Sequence, residues 1–423
     1  MSRLFTIAIL FLGFAGFAQS IRFKDAINQE NLPGVSVYHN DQLIGISNEK
    51  GEIALKPHFI DQEVFVFLSG YKQQQFVLSK GQQEIQLHGF FETLDQVEIK
   101  AKKSNSFGFM ALKPVEKVYV YSGKKSEVIL PAKLPANKAT NNARQVFAKV
   151  SGLNIWESDC AGLQLGIGGR GLSPNRSTHF NTRQNHYDIS ADALGYPESY
   201  YSPPVQAIYR VEVVRGAAGL QYGPQLGGLV NFILKDDQQT QQGNGSVQIT
   251  GGSNQFLNLF ADYGKKSGKW MYYAYLQRKS GNCFRPNSAF NLLGGHAYLK
   301  YNWSNNGGVS VEVTAMDYLT QQAGGLTDRQ FELDPYTSTR ERNWFRVNWN
   351  LFALKIDQNW SNGWRFSSNN FGLVADRTSL GFLGPIHRPD PNAERDIIDG
   401  TFQNIGSENR FLKTYFIGTA PSS

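Results

Sequence analysis

The residues best suited to hold a ligand lie on one polar stretch, 175–204, which reads NRSTHFNTRQNHYDISADALGYPESYYSPP. It carries Arg176 and Arg183 together with Asn181, Gln184, Asn185 and Tyr196. Guanidinium forks flanked by amide and hydroxyl donors suit an anion, held by charge-assisted hydrogen bonds. His179 and His186 sit on the same stretch, but two histidines without a carboxylate partner make a poor metal site, so neither a metal nor a cofactor is expected. Gly166, Gly168 and Gly171 form a literal G-x-G-x-x-G, with Asp188 downstream. A dinucleotide site needs a strand before that motif and a helix starting on it. Here Leu172, Ser173, Pro174 and Asn175 follow, then a polar run without helical period, so the glycines read as turns. The histidines are dispersed and no Ser-His-Asp or paired-carboxylate set has a motif context, so the chain reads as a non-enzyme. Cys160 and Cys283 lack C-x-x-C spacing, fall in different expected domains, and read as incidental.

Composition narrows the fold that must position these residues. A chain of 423 residues suggests two to four domains. Aromatics reach 13%, and 19 Tyr with 29 Phe against 4 Met favour β architecture over helical bundles. The net charge of +7 is spread over scattered Lys and Arg, which reads as a solvated basic surface and gives no expectation of nucleic acid.

In chain order, residues 1–19 read as a secretory signal: Arg3, an apolar run at 4–17, then small residues Gly16 and Ala18. Residues 20–91 read as a small β-sandwich, with alternating runs at 35–38, 42–46, 52–55, 64–68, 75–78 and 84–87. Segment 92–103 alternates Val97 and Ile99 with Glu98 and Lys100, as an extended edge does, and 104–122 reads as a linker with some strand character. An α+β domain is expected over 123–237. Within it, Ala143, Val146, Phe147 and Val150 share a helical face closed by Gly152, and the polar stretch reads as an exposed binding loop. From 238 to 423, segments of about ten residues alternate in polarity, rich in Tyr, Trp and Phe, as membrane-spanning β-strands do. The fold class is therefore mainly β: a β-sandwich, an α+β domain, then part of a transmembrane antiparallel barrel.

The glycine-dense segment after Arg215-Gly216, RGAAGLQYGPQLGGLVNFILK, and the earlier pair Arg170-Gly171 resemble the plug of a TonB-dependent outer-membrane receptor. LPGVSV at 32–37, NEKG at 48–51 and SGY at 69–71 resemble the carboxypeptidase-regulatory-like domain, here without any His-Glu metal pair for a peptidase. The plug wording looks most like the ferric-dicitrate branch. The resemblance implies a TonB box at Leu94, Asp95, Gln96, Val97, Glu98 and Ile99, pairing as an added strand with TonB and its inner-membrane energising complex. It implies a strand barrel set in outer-membrane lipid, and Arg170 and Arg215 facing the barrel wall as plug latches, their acidic partners beyond this sequence. It also implies Arg176 and Arg183 contacting an anionic ferric chelate, with Asn181, Gln184, Asn185 and Tyr196 as neutral donors. The N-terminal domain is not the signalling type. A TonB-dependent importer of glycans or peptides working with a surface lipoprotein is the alternative, and an adhesin or passive pore a third class.

Residues 243–423 supply about eight strands, whereas plugged transporters have about 22. An open, curved sheet is therefore expected, and an incomplete receptor.

Overall fold

The structure is a computed structural model; it describes residues 19–40, 42–81, 83–89, 108–122, 126–191, 199–223, 227–236, 243–417 and 420–422. The signal segment, the TonB-box residues 94–99 and Tyr196 lie outside the described residues, as does the side chain of Arg176.

The N-terminal unit has seven strands: β1 (Gln19–Asp25), β2 (Ser36–His39), β3 (Gln42–Ile46), β4 (Glu52–Leu55), β5 (Glu63–Phe67), β6 (Gln74–Val77) and β7 (Gln83–Leu87). They form two sheets, β4-β1-β7 and β3-β2-β5-β6. Alternate residues from both sheets make one core, including Ile21, Phe23, Val35, Val37, Ile53, Val64 and Val66. β1 adds a parallel partner for β7 where the sequence suggested the end of a leader. Asp25, at its end, accepts from the Tyr71 hydroxyl at 2.7 Å and from the Ile27 and Asn28 amides.

The central domain is α+β, as expected. Its elements are β8 (Phe109–Ala111), β9 (Val115–Glu116), β10 (Tyr119–Val120), β11 (Glu127–Ile129), α1 (Ala143–Phe147), β12 (Leu153–Glu157), β13 (Leu165–Gly169), β14 (Phe180–Gln184), β15 (Tyr187–Asp188), β16 (Ile208–Val214) and β17 (Gly228–Leu234). Six strands form a sheet in the order β15-β14-β17-β16-β11-β8, and β12 pairs with β13 as a hairpin. Asn142 caps α1 by accepting from the Gln145 amide, and Val146, Phe147 and Val150 are buried as their spacing required. α1 ends at Phe147, short of the Gly152 stop expected, and Gly152 turns the chain at φ 73° into β12. The expected linker at 104–122 is corrected: β8 is an edge strand of this sheet, and Tyr119 and Tyr121 are buried.

The glycine motif folds as a strand, with no helix opening on it. Gly166 and Gly168 lie in β13, and a Cβ at Gly168 would collide with the Leu172 carbonyl and sit 2.8 Å from Pro174 N. The glycine serves close backbone packing, which a nucleotide site would not require.

Eight strands follow: β18 (Asn244–Gly251), β19 (Leu257–Ser267), β20 (Trp270–Gly281), β21 (Phe290–Ser304), β22 (Gly307–Gln321), β23 (Trp344–Asn359), β24 (Trp364–Gly381) and β25 (Asp396–Lys413), with a short helix α2 (Asp328–Leu333) between β22 and β23. They pair only with sequence neighbours, β18 to β25, so the sheet is antiparallel and open among the described residues. Short turns at 268–269, 305–306 and 360–363 occupy one end, and the longer connections 252–256, 282–289, 322–343 and 382–395 the other. Side chains alternate along much of the sheet, most regularly in β20, β22 and the first part of β23. On one face Val247, Ile249, Leu276, Val311, Val313 and Ile405 are exposed, Leu276 at 69% and Ile405 at 92%. On the other Phe260, Tyr275, Glu312, Thr314 and Trp349 are buried against the central domain. Trp270, Trp303, Trp360 and Trp364 all cluster at the short-turn end, where amphipathic rings mark a membrane interface. No helix among the described residues is long and apolar enough to cross a membrane, a finding silent on strands.

Candidate functional site

The site is the seam between the central domain and the sheet, and β14 is its axis. Among its described residues the polar stretch does not form an exposed loop. Phe180 to Gln184 pair in parallel with 228–232 of β17, so backbone pairing overrides the polarity of the sequence. Asn181, Arg183 and Gln184 survive there because each is bonded, while the Thr182 hydroxyl is buried without a partner among the described residues. The Arg183 guanidinium, 1% exposed, donates Nε and Nη2 to the His186 carbonyl at 3.0 and 2.8 Å, and Nη1 to Asn181 Oδ1 at 3.3 Å. It forms an ion pair with Glu408 of β25 and lies 4.7 Å above the Tyr222 ring. Gln184 donates to Thr314 Oγ1 at 3.0 Å and Asn185 to Glu312 Oε2 at 2.6 Å, both on β22. Asn181 donates to Asp188 Oδ2 at 2.6 Å. The reading of Asn181, Arg183, Gln184 and Asn185 as open donors on a loop is thus corrected: three are buried, Asn185 is half-buried, and all are committed to internal partners.

The two latch arginines behave differently from expectation. Arg170 is exposed at φ 57°, and no ion pair for it is seen among the described residues. Arg215 donates to Glu127 of β11 at 3.1 Å and to the Ser151 carbonyl at 2.7 Å, so it ties the central domain to itself. The residue that fills the expected role of a buried arginine against the wall is Arg183, and its acid, Glu408, is within this chain. Arg176 has its backbone in a 3₁₀ turn at Asn175–Ser177.

Behind β14 lies a second polar group. Glu212, fully buried on β16, accepts from Asn231 at 2.8 Å and Arg210 at 2.5 Å, and Arg210 also reaches Glu116 at 2.6 Å. Burial raises the Glu212 carboxyl above its usual range, opposed by the Arg210 charge. His186 stacks on Tyr119 with ring centres 3.9 Å apart, and burial holds it well below the usual histidine range. It is a neutral packing residue, and no cluster of His, Cys, Asp and Glu able to hold a metal occurs among the described residues.

The seam changes character along its length. At the short-turn end, Arg365 donates to the Lys117 carbonyl at 3.2 Å and Asn369 to the Tyr119 hydroxyl at 3.2 Å. At mid-height, Tyr201 meets Tyr275 at 3.0 Å, and Asn404 donates to the Ser190 and Ala191 carbonyls at 3.2 and 2.9 Å. At the long-loop end, Lys279 donates to the Ala161 carbonyl at 2.8 Å and Tyr318 to Asp159 at 3.3 Å. Between those two contacts Cys160 and Cys283 form a disulfide, Cα to Cα 5.8 Å, bridging 123 residues of sequence. The cysteines are therefore not incidental. The usable signal was the expected export, since an exported chain with two cysteines would sit where disulfides persist.

The connections at the long-loop end are braced by arginines. Arg285 donates to the Gly324, Ala323 and Thr337 carbonyls, and Arg340 to those of Gly384, Pro385 and Arg388. Phe331, Leu333 and Tyr336 stay exposed beside them at 60%, 77% and 61%.

Comparison with known proteins agrees with this architecture. Residues 121–230 match the family described as TonB-dependent Receptor Plug Domain, so the central domain is a plug. The iron-regulated outer membrane virulence proteins of two Vibrio cholerae serotype O1 strains are 40% identical over 76 residues, which is 18% of this chain and 10% of theirs. The unliganded ferric citrate transporter FecA superposes with a TM-score of 0.58 at 20% identity, over 69% of this chain and 45% of that one. The ferripyoverdine receptor of the Pseudomonas aeruginosa outer membrane gives 0.56 at 14% identity, over 74% and 42%. The siderophore receptor PirA from Acinetobacter baumannii gives 0.51 at 16%, over 69% and 46%. These likenesses establish the fold: a plug against an antiparallel sheet of the kind that builds receptor barrels. The chain spans less than half the length of each of these solved structures.

Proposed function

We propose that this chain is part of a TonB-dependent outer-membrane receptor that imports a ferric chelate, most simply a citrate-like anion. One observation carries the reading. A matched plug is seated on the buried, polar-bearing face of a sheet whose opposite face is apolar and exposed. A water-facing sheet would show the reverse alternation, whereas a lipid-facing barrel wall with a filled interior shows this one. TonB, with its inner-membrane energising complex, would pair with Leu94 to Ile99 by strand addition, just before the plug. Outer-membrane lipid would meet the exposed face. Of the sequence-derived ligand contacts, Arg176 and Tyr196 remain assigned to the chelate, and Asn181, Arg183, Gln184 and Asn185 are reassigned to holding the plug. An N-terminal carboxypeptidase-regulatory-like role for the sandwich and cleavage of residues 1–19 as a signal belong to the same proposal.

The test is growth and uptake on single iron sources in cells bearing the whole receptor, its deletion, or Val97→Pro. Proline removes a backbone donor from the pairing strand. Ferric citrate uptake lost in the deletion and in Val97→Pro, with ligand binding retained in the latter, is the expected result. Uptake that survives Val97→Pro would sink the TonB assignment. Normal growth on ferric citrate without the gene, with loss on a glycan or peptide source, would move the substrate to that class.

A further inference from the structure

We propose that the Cys160–Cys283 disulfide is a mechanical stop: it fixes the plug to the wall at the long-loop end and confines any drawn-out segment to residues before Cys160. The proposal deepens the reading above, resting on it for the direction of the pull, which comes from the N-terminal side of the plug.

Three features of the structure support it. The bridge joins the connection between β12 and β13 to the connection between β20 and β21, at the sheet end remote from where the chain enters. Entry is at the short-turn end, where Lys117 and Tyr119 meet Arg365 and Asn369. The chain is thus gripped non-covalently where it arrives and covalently where it has crossed the seam. Secondly, the bridge is seated in a braced patch. Asp159 accepts from the Leu163 and Gln164 amides at 3.1 Å each and from Tyr318, and Lys279 holds the next carbonyl, Ala161. A load arriving at Cys160 therefore passes into two strands, β20 and β22, on either side of β21, without first tearing the loop.

Thirdly, the sheet order sets what can leave. β8 and β11 are the last two strands at one edge of β15-β14-β17-β16-β11-β8, joined to each other and to β16 through three residues each. Peeling β8, then β11, then α1 and β12 leaves β15, β14, β17 and β16 together, because all four lie beyond Cys160 in sequence. A pull on the N-terminal side runs along the chain to Cys160, crosses the bridge to Cys283, and ends in the wall. Residues 161–236 carry none of it. The withdrawn piece takes Tyr119 off His186 and Tyr121 off Tyr222, and so opens the short-turn end of the seam. The Arg183–Glu408 pair stays with the fixed part. With the bridge closed, the plug cannot leave the wall as a body.

The test needs no transport. The whole receptor in detergent micelles is pulled between a handle near residue 100 and one on the 305–306 turn of the wall. Drawing out residues 108–160, about 53, releases at most ~190 Å of extended chain. Freeing the plug through residue 243, about 136 residues, would release at most ~490 Å. With the bridge closed, extension should stop near the shorter value. In Cys160→Ser/Cys283→Ser, and in the parent reduced by a phosphine, it should run to the longer one. The reduced parent guards against misfolding of the double variant. Extension past the shorter limit with the bridge closed overturns the proposal, and so does a stop at the shorter limit in both unbridged forms. Loss of uptake in Val97→Pro is scored separately, so a failed stop and a failed TonB assignment give different records.

Discussion

Arg183→Ala should undock the middle of the plug from its wall, and the structure sets the size of the effect. The guanidinium is 1% exposed, with two bonds to the His186 carbonyl, one to Asn181, an ion pair to Glu408 and the Tyr222 ring beneath it. Removing one member of a buried ion pair costs about 3–5 kcal/mol, because the other charge is left without its partner. Two facts place Arg183 at the lower end. Glu408 is 23% exposed, and it keeps Arg410 at 2.8 Å as a second cation. The orphaned His186 carbonyl adds ~1 kcal/mol, for about 3–4 kcal/mol in all. That corresponds to a rise of roughly a hundred- to a thousand-fold in the undocked population. Limited proteolysis of the whole receptor in detergent reads that population directly when closing is faster than cleavage. Cleavage after plug residues should accelerate by a comparable factor, with the sheet strands intact. Arg215→Ala is the control. It loses Glu127, in a pair 20% and 14% exposed, and one exposed carbonyl within the plug, about 1–2 kcal/mol, so its acceleration should stay well below that of Arg183→Ala. A double cycle with Glu408→Gln should show coupling, since the two groups touch. Parent-like cleavage of Arg183→Ala, or a larger effect from Arg215→Ala, would refute this account of the seam.

Three further outcomes are expected. Leu276→Arg, at mid-height on the exposed face, should cost about 2–4 kcal/mol of folding into phosphatidylcholine vesicles; an unchanged folding midpoint there would count against a lipid-facing wall. In the N-terminal unit, the Tyr71 hydrogen bond is the main cause holding the Asp25 carboxyl below its ordinary range. Its stabilising contribution is therefore present above the ordinary carboxylate pKa and is lost as pH falls through the depressed folded value. Tyr71→Phe should lower stability by about 1–2 kcal/mol at pH 7 and flatten that acid limb, read by pH-dependent denaturant unfolding. Gly168→Ala should destabilise the β12–β13 hairpin by more than ~2 kcal/mol, because the added carbon meets the rigid Leu172 carbonyl; a protease-resistant plug in that variant would contradict the packing.

Most of the architecture was legible because it repeats. Alternation and short Asn-Gly or Ser-Gly turns mark the wall strands, and the sandwich runs lie within a residue of their observed bounds. What failed was the inference from polarity to exposure. Asn181, Thr182, Arg183 and Gln184 form a run that in a water-soluble domain would be a surface loop. In this fold it is a buried strand, because the facing wall carries Glu312, Thr314 and Glu408 to receive it. That complement lies 127 to 225 residues away, beyond any local window. The disulfide was missed for a similar reason. Its two halves are unremarkable alone, and only the crossing of β12–β13 against β20–β21 makes them neighbours. The strand character of 104–122 was legible, but three residues carry too little pattern to place β8 in the central sheet.

The order of contacts along the seam bears on how such a plug can be both secure and movable. Near the short turns, contacts are single hydrogen bonds such as Arg365 to Lys117, each worth on the order of 1 kcal/mol net and exchangeable with water, and the Lys355 and Arg410 cations over the Tyr119 ring at 5.8 and 5.2 Å. Level with Asn369, Glu408 makes the buried pair with Arg183, and farther along the strands the amide bonds to Glu312 and Thr314 raise the cost of separation. Toward the long loops, Tyr200 packs on Phe345 at 5.5 Å and on Trp349 at 5.9 Å, and the disulfide closes the series. Attachment therefore strengthens from the end where the chain enters to the end where it is bridged. An interface graded this way yields in sequence under a pull from the weak end, one small step at a time. The same interface pushed from the strong end meets its covalent contact first. On the proposed reading, a ligand arrives at the strong end and TonB acts at the weak one, so ligand pressure alone does not open the seam, while a pull of modest force does.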